Sequence, residues 1–147
     1  MTSRLAATEL ERLGRAVRRE LSPLLLRGIK SGDFYGDFGG ACAIVSYTMY
    51  RVLRKQGLEP TLALAGGRFR TYLHCWVEVD GFIVDLTATQ FGYKRPVQVV
   101  TRPSEWHKPL ISRGRRVITE VKGWHGQSPL RHRHTIDSVV NRVMETS

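Results

Sequence analysis

One dipeptide, Asp80-Gly81, constrains the fold of this chain more than any other short feature. It lies between two runs in which apolar and polar residues alternate, "LHCWVEV" and "FIVDLTA". Asp-Gly between such runs is a strong signal for a two-residue hairpin turn, because both central residues of the favoured turn need a positive φ. The pattern therefore predicts an antiparallel strand pair with Asp80 and Gly81 at its tip and Val79 facing Phe82.

The register of this hairpin brings a histidine and an aspartate to the same face. Trp76 is predicted to lie opposite Asp85 and His74 opposite Thr87, whereas Cys75 points to the other, apolar face. His74 and Asp85 become diagonal neighbours with α-carbons about 7 to 8 Å apart, which lets an imidazole and a carboxylate hydrogen-bond. An acid so placed can orient a base, but such a pair can equally be a structural one.

A candidate nucleophile, Cys42, opens the predicted helix in "GGACAIVSYTMYRVLRKQG". Basic residues near the end of this segment and then Gly57 are typical of a helix C-terminus. Cys42 would lie in the first turn, after a glycine-rich loop at 31–40, where the helix dipole lowers the pKa of a thiol. The alternative is a small buried core residue, and for Cys75 that structural role is the prediction.

The predicted strands follow one another between helical segments, with no internal repeat, which predicts an α+β fold. Leu10, Leu13 and Val17 recur at helical spacing within residues 7–20, and Ser22-Pro23 is predicted to interrupt that helix. The other predicted elements are a short helical piece at 24–29, strands at 61–66, 70–79, 82–88 and 97–100, an irregular basic tail from about 102, and a closing helix at 135–146.

The net charge of +10 is concentrated at the two ends of the chain. Residues 1–30 carry +4, residues 31–95 carry +1 and residues 96–147 carry +5. A positive surface favours anionic partners, but ordinary surface charge or docking to an acidic protein fits better than nucleic-acid binding, because no nucleic-acid-binding motif is present. The histidines of "RHRH" and His125 lack cysteine or carboxylate partners at ligand spacing, so we predict neither a metal nor another cofactor.

Composition also indicates where such a chain works. No apolar run approaches the roughly 20 residues of a membrane-spanning helix, and the first residues lack the pattern of a secretory signal. Two cysteines in 147 residues are not a disulfide framework, so both are predicted to be free thiols in a reducing compartment. We therefore expect a soluble, cytoplasmic protein.

Three motifs in order resemble the transglutaminase-like branch of the papain-like cysteine enzymes. They are a helix-opening G-x-C, an H-x-W-V-E strand, and an aspartate followed closely by threonine on the next strand, as in "GGAC", "HCWVEVDG" and "DLT". The match covers about residues 38–91. It implies a papain-like or transglutaminase-like core, with the nucleophile at the N-terminus of a central helix packed on an antiparallel sheet.

The resemblance also implies the catalytic roles. Cys42 would be the nucleophile, His74 the general base and acid, and Asp85 the residue that orients the imidazole. The backbone N–H of Cys42 would help to hold the oxyanion, and no metal would be needed. Trp76, on the His74 face, would either screen the site from water or simply pack.

This sequence departs from the family at some positions. The loop before Cys42 lacks the glutamine that precedes the nucleophile in papain, which leaves Gln90 and Tyr35 as candidates for the second oxyanion donor or as surface residues. The bacterial leader peptidases of lasso-peptide biosynthesis share the H-x-W-V-E-V-D-G stretch, but the residues after their cysteine differ from "AIVSY".

Together these patterns predict a cysteine peptidase or amidase that works through a thioester with a Cys42-His74-Asp85 triad. A transglutaminase, a glutamine deamidase and a non-catalytic basic binding domain on the same fold remain the alternatives. The expected partner is a protein or peptide substrate, acidic in character. The predicted organisation is a single domain with an N-terminal helical segment (1–30), a catalytic core (31–101) and a basic C-terminal extension (102–147).

Overall fold

The protein is an α+β structure in which helices pack on a five-stranded antiparallel sheet. The computed structural model describes residues 6–31, 42–65, 74–91, 93–111, 115–118 and 132–146. Within these ranges, no helix combines the length and the apolar character needed to cross a bilayer. The helices are α1 (Ala7–Ser31), α2 (Cys42–Lys55), α3 (Lys108–Ile111) and α4 (Arg133–Glu145), with a 3-10 helix at Ala88–Phe91, and the strands are β1 (Thr61–Ala65), β2 (His74–Val79), β3 (Phe82–Asp85), β4 (Gln98–Thr101) and β5 (Arg115–Ile118).

The predicted hairpin is confirmed in both its turn and its register. Strands β2 and β3 pair antiparallel with Val79 opposite Phe82. Asp80 and Gly81 form the tip with φ values of 50° and 82°, which are the positive values that a tight two-residue turn requires. The strand order is β4-β3-β2-β1-β5, so β2, which begins at His74, occupies the centre of the sheet.

The two faces of the sheet are covered differently. On one face, Cys75, Val77 and Val84 pack with the buried sides of α1, α2 and α4 in the main hydrophobic core. On the other, Trp76 and Ile83 belong to a smaller apolar cluster that includes Ala63 and Ala65 of β1. The predicted alternation of the hairpin is therefore correct, and it sends successive side chains into two separate layers.

Helix α2 is the central helix and is buried on nearly all sides between the sheet and the other helices. It begins at Cys42, as predicted. At its other end the N–H of Leu58 bonds the carbonyl of Leu53, and that of Gly57 bonds the carbonyl of Arg54. With Gly57 at φ 85°, this is a Schellman end, which only a residue tolerant of the left-handed region forms without strain.

The predicted interruption of the first helix at Ser22-Pro23 is wrong. Helix α1 continues without a break through Pro23 to Ser31. The hydroxyl of Ser22 donates to the carbonyl of Arg18 at 2.9 Å, and Leu21, Leu24 and Leu25 carry the buried face across the proline. Packing of that continuous apolar face outweighs the one backbone hydrogen bond that a proline removes.

The region from residue 102 onward is also more structured than predicted. It supplies α3, β5 and α4, and β5 pairs with β1 at the edge of the sheet. The closing helix is confirmed, and its residues Ile136, Val139 and Val143 lie in the main core. The predicted strand at 82–88 is shorter, because Asp85 ends it by accepting a hydrogen bond from the backbone N–H of Thr87.

Candidate active site

Three element ends place Cys42, His74 and Asp85 together. Cys42 is the first residue of α2, His74 the first of β2 and Asp85 the last of β3. His74 Nε2 lies 2.6 Å from Asp85 Oδ2, and neither side chain is exposed to solvent. The predicted diagonal contact is therefore present, and Cys42 lies close enough to His74 for each group to shift the pKa of the other.

The hydrogen bonds of Asp85 determine which ring atom of His74 faces the cysteine. An ionised carboxylate oxygen only accepts, so His74 Nε2 carries a proton and donates it to Asp85 Oδ2. The remaining ring nitrogen, Nδ1, is then the atom available to Cys42. The other oxygen of Asp85, Oδ1, accepts from the backbone N–H of Thr87 at 3.1 Å, which holds the carboxylate plane.

The charges of this pair support one another. Burial alone would raise the pKa of Asp85, but the charge of His74 and the hydrogen bonds from His107 and His74 outweigh it and lower that pKa to about 2. Burial likewise would lower the pKa of His74, but the negative charge of Asp85 raises it to about 9. At neutral pH the imidazole is therefore protonated and faces a carboxylate.

Cys42 is the thiol whose pKa falls. A hydrogen bond from Cys75 is the largest cause, burial opposes it, and the hydrogen bond and charge of His74 add to it, so the pKa of Cys42 drops to about 5. The pKa of Cys75 moves the other way, well above its usual value, because its thiol is buried beside the Cys42 sulfur. Of the two cysteines, Cys42 carries the thiolate and Cys75 keeps its proton.

The structural role predicted for Cys75 is thus incomplete. Its side chain does point into the helix-facing core, away from the Trp76 layer. That same core contains the start of α2, so the Cys75 thiol contacts Cys42 from behind. Its proton has two acceptors, the Cys42 sulfur and Ser46 Oγ at 3.6 Å. We assign it to Cys42, since hydrogen bonds to a charged acceptor are roughly twice as strong.

A second histidine, His107, joins the site without having been predicted. His107 Nε2 lies 2.7 Å from Asp85 Oδ2, the same oxygen that His74 uses, and His107 is fully buried. Its Nδ1 lies 2.7 Å from the hydroxyl of Ser104. Ser104 and His107 have the spacing of a helix N-cap, but this is evident only once the short helix α3 is seen. Nothing in the local sequence pattern indicates that this segment folds back to contact β3.

Aromatic rings surround the histidines. The ring centroid of Trp76 lies 4.6 Å from that of His107 and 5.8 Å from that of His74. Trp106 lies 4.8 Å from His107 and 6.0 Å from His74. Trp76 was predicted either to screen the site or to pack, and it packs, fully buried, against the two imidazoles.

The orientation of Trp76 is fixed by a charged pair at the edge of the aromatic layer. Its indole N–H donates to Glu78 Oε2 at 2.9 Å. Glu78 Oε1 in turn accepts from Arg102 Nη1 at 2.9 Å. Glu78 is buried, so the guanidinium of Arg102 supplies the countercharge that a buried carboxylate needs.

His74, Asp85 and His107 also have the residue types of a metal site, with ligand atoms within 4.8 Å of one another. Their spacing favours hydrogen bonds. The two nitrogens lie 2.6 and 2.7 Å from one carboxylate oxygen. In a tetrahedral zinc site with bonds of about 2.0 to 2.1 Å, neighbouring ligand atoms lie roughly 3.3 Å apart. Both nitrogens point at the oxygen rather than at a shared centre.

The candidates for oxyanion stabilisation are only partly defined. The backbone N–H of Cys42 belongs to the first turn of α2, whose N–H groups have no partner within the helix. Gln90 lies in the 3-10 helix Ala88–Phe91, and its side chain falls outside the described part of the structure. Tyr35 lies outside the described residues altogether.

The arrangement as a whole has the parts of a nucleophilic site. It combines a buried thiolate at a helix start, a protonated imidazole and a fixed carboxylate in one series. Such a series can attack a carbonyl carbon and pass a proton to a leaving group. No protein-family model, no curated protein and no solved structure matches this chain.

Proposed function

We propose that this protein is a cysteine-dependent acyl-transfer enzyme, a peptidase or amidase, with Cys42 as nucleophile. The observation that carries the proposal is the buried His74–Asp85 hydrogen bond beside Cys42, the first residue of α2, whose pKa the imidazole helps to lower. A merely structural cysteine has no need of an imidazolium beside it. The order of the motifs, which resembles the transglutaminase-like branch, supports the same roles.

The reaction begins with the thiolate of Cys42. Its sulfur attacks the carbonyl carbon of an amide, a C–S bond forms, and the π electrons move to the oxygen, which the N–H of Cys42 helps to stabilise. The intermediate collapses by breaking the C–N bond. The departing amine takes the proton from His74 Nδ1, which leaves a thioester on Cys42 and a neutral imidazole.

The second half of the reaction uses the same groups in reverse. Neutral His74 removes a proton from water as the water oxygen attacks the thioester, and the acid is released as the thiolate returns. An amine in place of water gives transamidation through the same steps. The acceptor therefore decides the product, and Asp85 has one role in both halves, to hold His74 and stabilise its positive charge.

Thiol labelling tests the proposed nucleophile directly. At about pH 6, iodoacetamide should modify Cys42 much faster than Cys75, because only Cys42 is a thiolate there. The change His74→Ala should slow that labelling. His134→Ala is the matched control, since His134 is an exposed histidine of α4 far along the chain from the triad.

Two results would contradict the proposal. Equal, slow labelling of both cysteines would favour a basic binding domain without catalysis, as would a rate for Cys42 that His74→Ala leaves unchanged. The reaction itself is identified by treating a proteome with the wild-type protein or with Cys42→Ala and searching by mass spectrometry for cleaved, deamidated or crosslinked peptides. Cys42→Ala should fold and produce none of these, and full turnover by that variant would end the enzyme hypothesis.

A further inference from the structure

Asp85 is held by more groups than a Cys-His-Asp site needs. Oδ2 accepts hydrogen bonds from His74 at 2.6 Å and from His107 at 2.7 Å, and Oδ1 accepts from Thr87. His74 faces Cys42 and has a role in the proposed reaction. His107 shares the oxygen that His74 uses, with its ring nearly parallel to that of His74, and the proposed reaction assigns it nothing.

We propose that His107 is a positioning residue of this site and that, locked by Ser104, it holds the Asp85 carboxylate in the orientation that faces His74. The inference rests on the proposed function, because it concerns the residue that orients the general base. His107 does not touch the reacting atoms. It acts on them only through Asp85 and then His74.

Asp85 and Ser104 together fit one arrangement of protons on the His107 ring. Asp85 Oδ2 can only accept, so His107 must donate from Nε2. In the neutral ring Nδ1 is then an acceptor, and the hydroxyl of Ser104, at 2.7 Å, is the donor it needs. Ser104 Oγ also accepts from the backbone N–H of His107 at 3.3 Å, which fixes the hydroxyl itself.

The surroundings of His107 keep it from moving. Its ring lies between those of Trp76 and Trp106, at centroid distances of 4.6 and 4.8 Å. Trp76 is anchored by Glu78, and Glu78 by Arg102. A ring so enclosed holds its N–H in one place, and an N–H in one place fixes the oxygen that it contacts.

Loss of this donor has a directional effect on the charges of the site. The hydrogen bond from His107 is one of the causes that lower the pKa of Asp85, so removing it raises that pKa. Among the described residues, the titratable groups facing His107 are Asp85 and His74, while Glu78 lies behind Trp76 and is paired with Arg102. A carboxylate that His107 no longer holds can also turn away from His74, which then loses part of the charge that supports its protonation, and the thiolate of Cys42 loses part of its imidazolium.

Two substitutions at one position separate this role from simple packing. His107→Phe keeps a ring of similar size and removes the donor, whereas His107→Gln keeps an N–H donor near the position of Nε2. The measurement is the iodoacetamide rate at Cys42 as a function of pH, with Cys75 as an internal reference. It needs no substrate, and circular dichroism reports whether each variant is folded.

The expected result for His107→Phe is a shift of the acid limb of the pH–rate profile, the range in which Cys42 labelling slows as the pH is lowered. The pH at which Cys42 labelling reaches half its plateau should rise by up to about one unit, since a hydrogen bond to a charged group changes the equilibrium of that group by roughly tenfold and only part of this change reaches Cys42 through Asp85 and His74. His107→Gln should remain close to wild type. Ser104→Ala, which keeps the ring and frees Nδ1, should shift the limb in the same direction by less.

Each other outcome overturns the inference. If the limb of His107→Phe coincides with wild type, or moves as far as that of His107→Gln, then His107 only packs. If His107→Phe does not fold, Ser104→Ala decides, and a limb identical to wild type rejects the positioning role. If only the positioning role of His107 is wrong, the wild-type protein still shows fast labelling of Cys42 that depends on His74. If the proposed function is wrong, the wild-type protein lacks that labelling.

Discussion

Cys75 gives the sharpest test of the electrostatics, because its thiol is the largest cause of the low pKa of Cys42. Cys75→Ala removes the hydrogen-bond donor behind the proposed nucleophile. A hydrogen bond to a charged group contributes about 1.5 to 3 kcal/mol, which is about 1 to 2 pKa units. From its present value of about 5, the pKa of Cys42 should therefore rise to roughly 6 to 7.

The pH midpoint of alkylation is a better readout of this change than a single rate. At pH 6 the rise would reduce the thiolate fraction of Cys42 from about 90% to between about 50% and 10%. A thiolate of higher pKa is also intrinsically more nucleophilic, with a Brønsted slope of about 0.4 to 0.5. The two effects nearly cancel, so the rate at pH 6 should stay within about two-fold of wild type while the midpoint moves by its full amount.

Cys75→Ser is the matched control, since it keeps an O–H donor in nearly the same volume. In both variants Cys42 is the only cysteine of the chain, so intact-protein mass spectrometry follows its alkylation directly. Cys75→Ser should keep a midpoint well below that of Cys75→Ala. Two results would refute this reasoning: a Cys75→Ala midpoint within about 0.3 pH units of wild type, or an equal shift in Cys75→Ala and Cys75→Ser. Either result means that no hydrogen bond from residue 75 supports the thiolate of Cys42.

Two further predictions concern stability. Gly14→Ala should lower the free energy of unfolding by about 1 kcal/mol, because the new Cβ would lie 2.7 Å from Leu86 and 3.0 Å from Val97, and overpacking costs about 1 to 3 kcal/mol against a gain of about 1 kcal/mol in helix propensity. Chemical denaturation should show this loss, and the exposed Arg15→Ala is a near-neutral control. A Gly14→Ala variant more stable than wild type would contradict the prediction. The stability gap between wild type and Asp85→Asn should be widest between the ordinary pKa of Asp, 3.8, and that of His, 6.5. This stability difference should narrow as pH falls towards 2, where Asp85 is protonated, and as pH rises past 9, where His74 loses its proton. A stability difference that does not change with pH would argue against an ionised pair.

The pairing of His74 with Asp85 could be predicted because it is a local property of the chain. A two-residue turn sets the register of its hairpin, and the register sets which side chains share a face. The start of α2 at Cys42 is local in the same sense, since it depends on a glycine-rich segment followed by a helical pattern. The sequence therefore predicts all three residues of the proposed triad, but it does not give the distance between Cys42 and the His74–Asp85 pair.

The tertiary structure alone decided what surrounds the triad. His107 reaches Asp85 across 22 residues, from a segment whose pattern indicates only an irregular tail. Cys75 contacts Cys42 because α2 packs on the face of β2 to which Cys75 points. The alternating pattern of a strand predicts which face a side chain lies on, but not which element covers that face. Pro23 shows the same limit, since burial of a continuous apolar face overrides the local preference of a proline to end a helix. Short-range rules determine which residues share an element, whereas contacts between distant segments follow from how the whole apolar surface is buried.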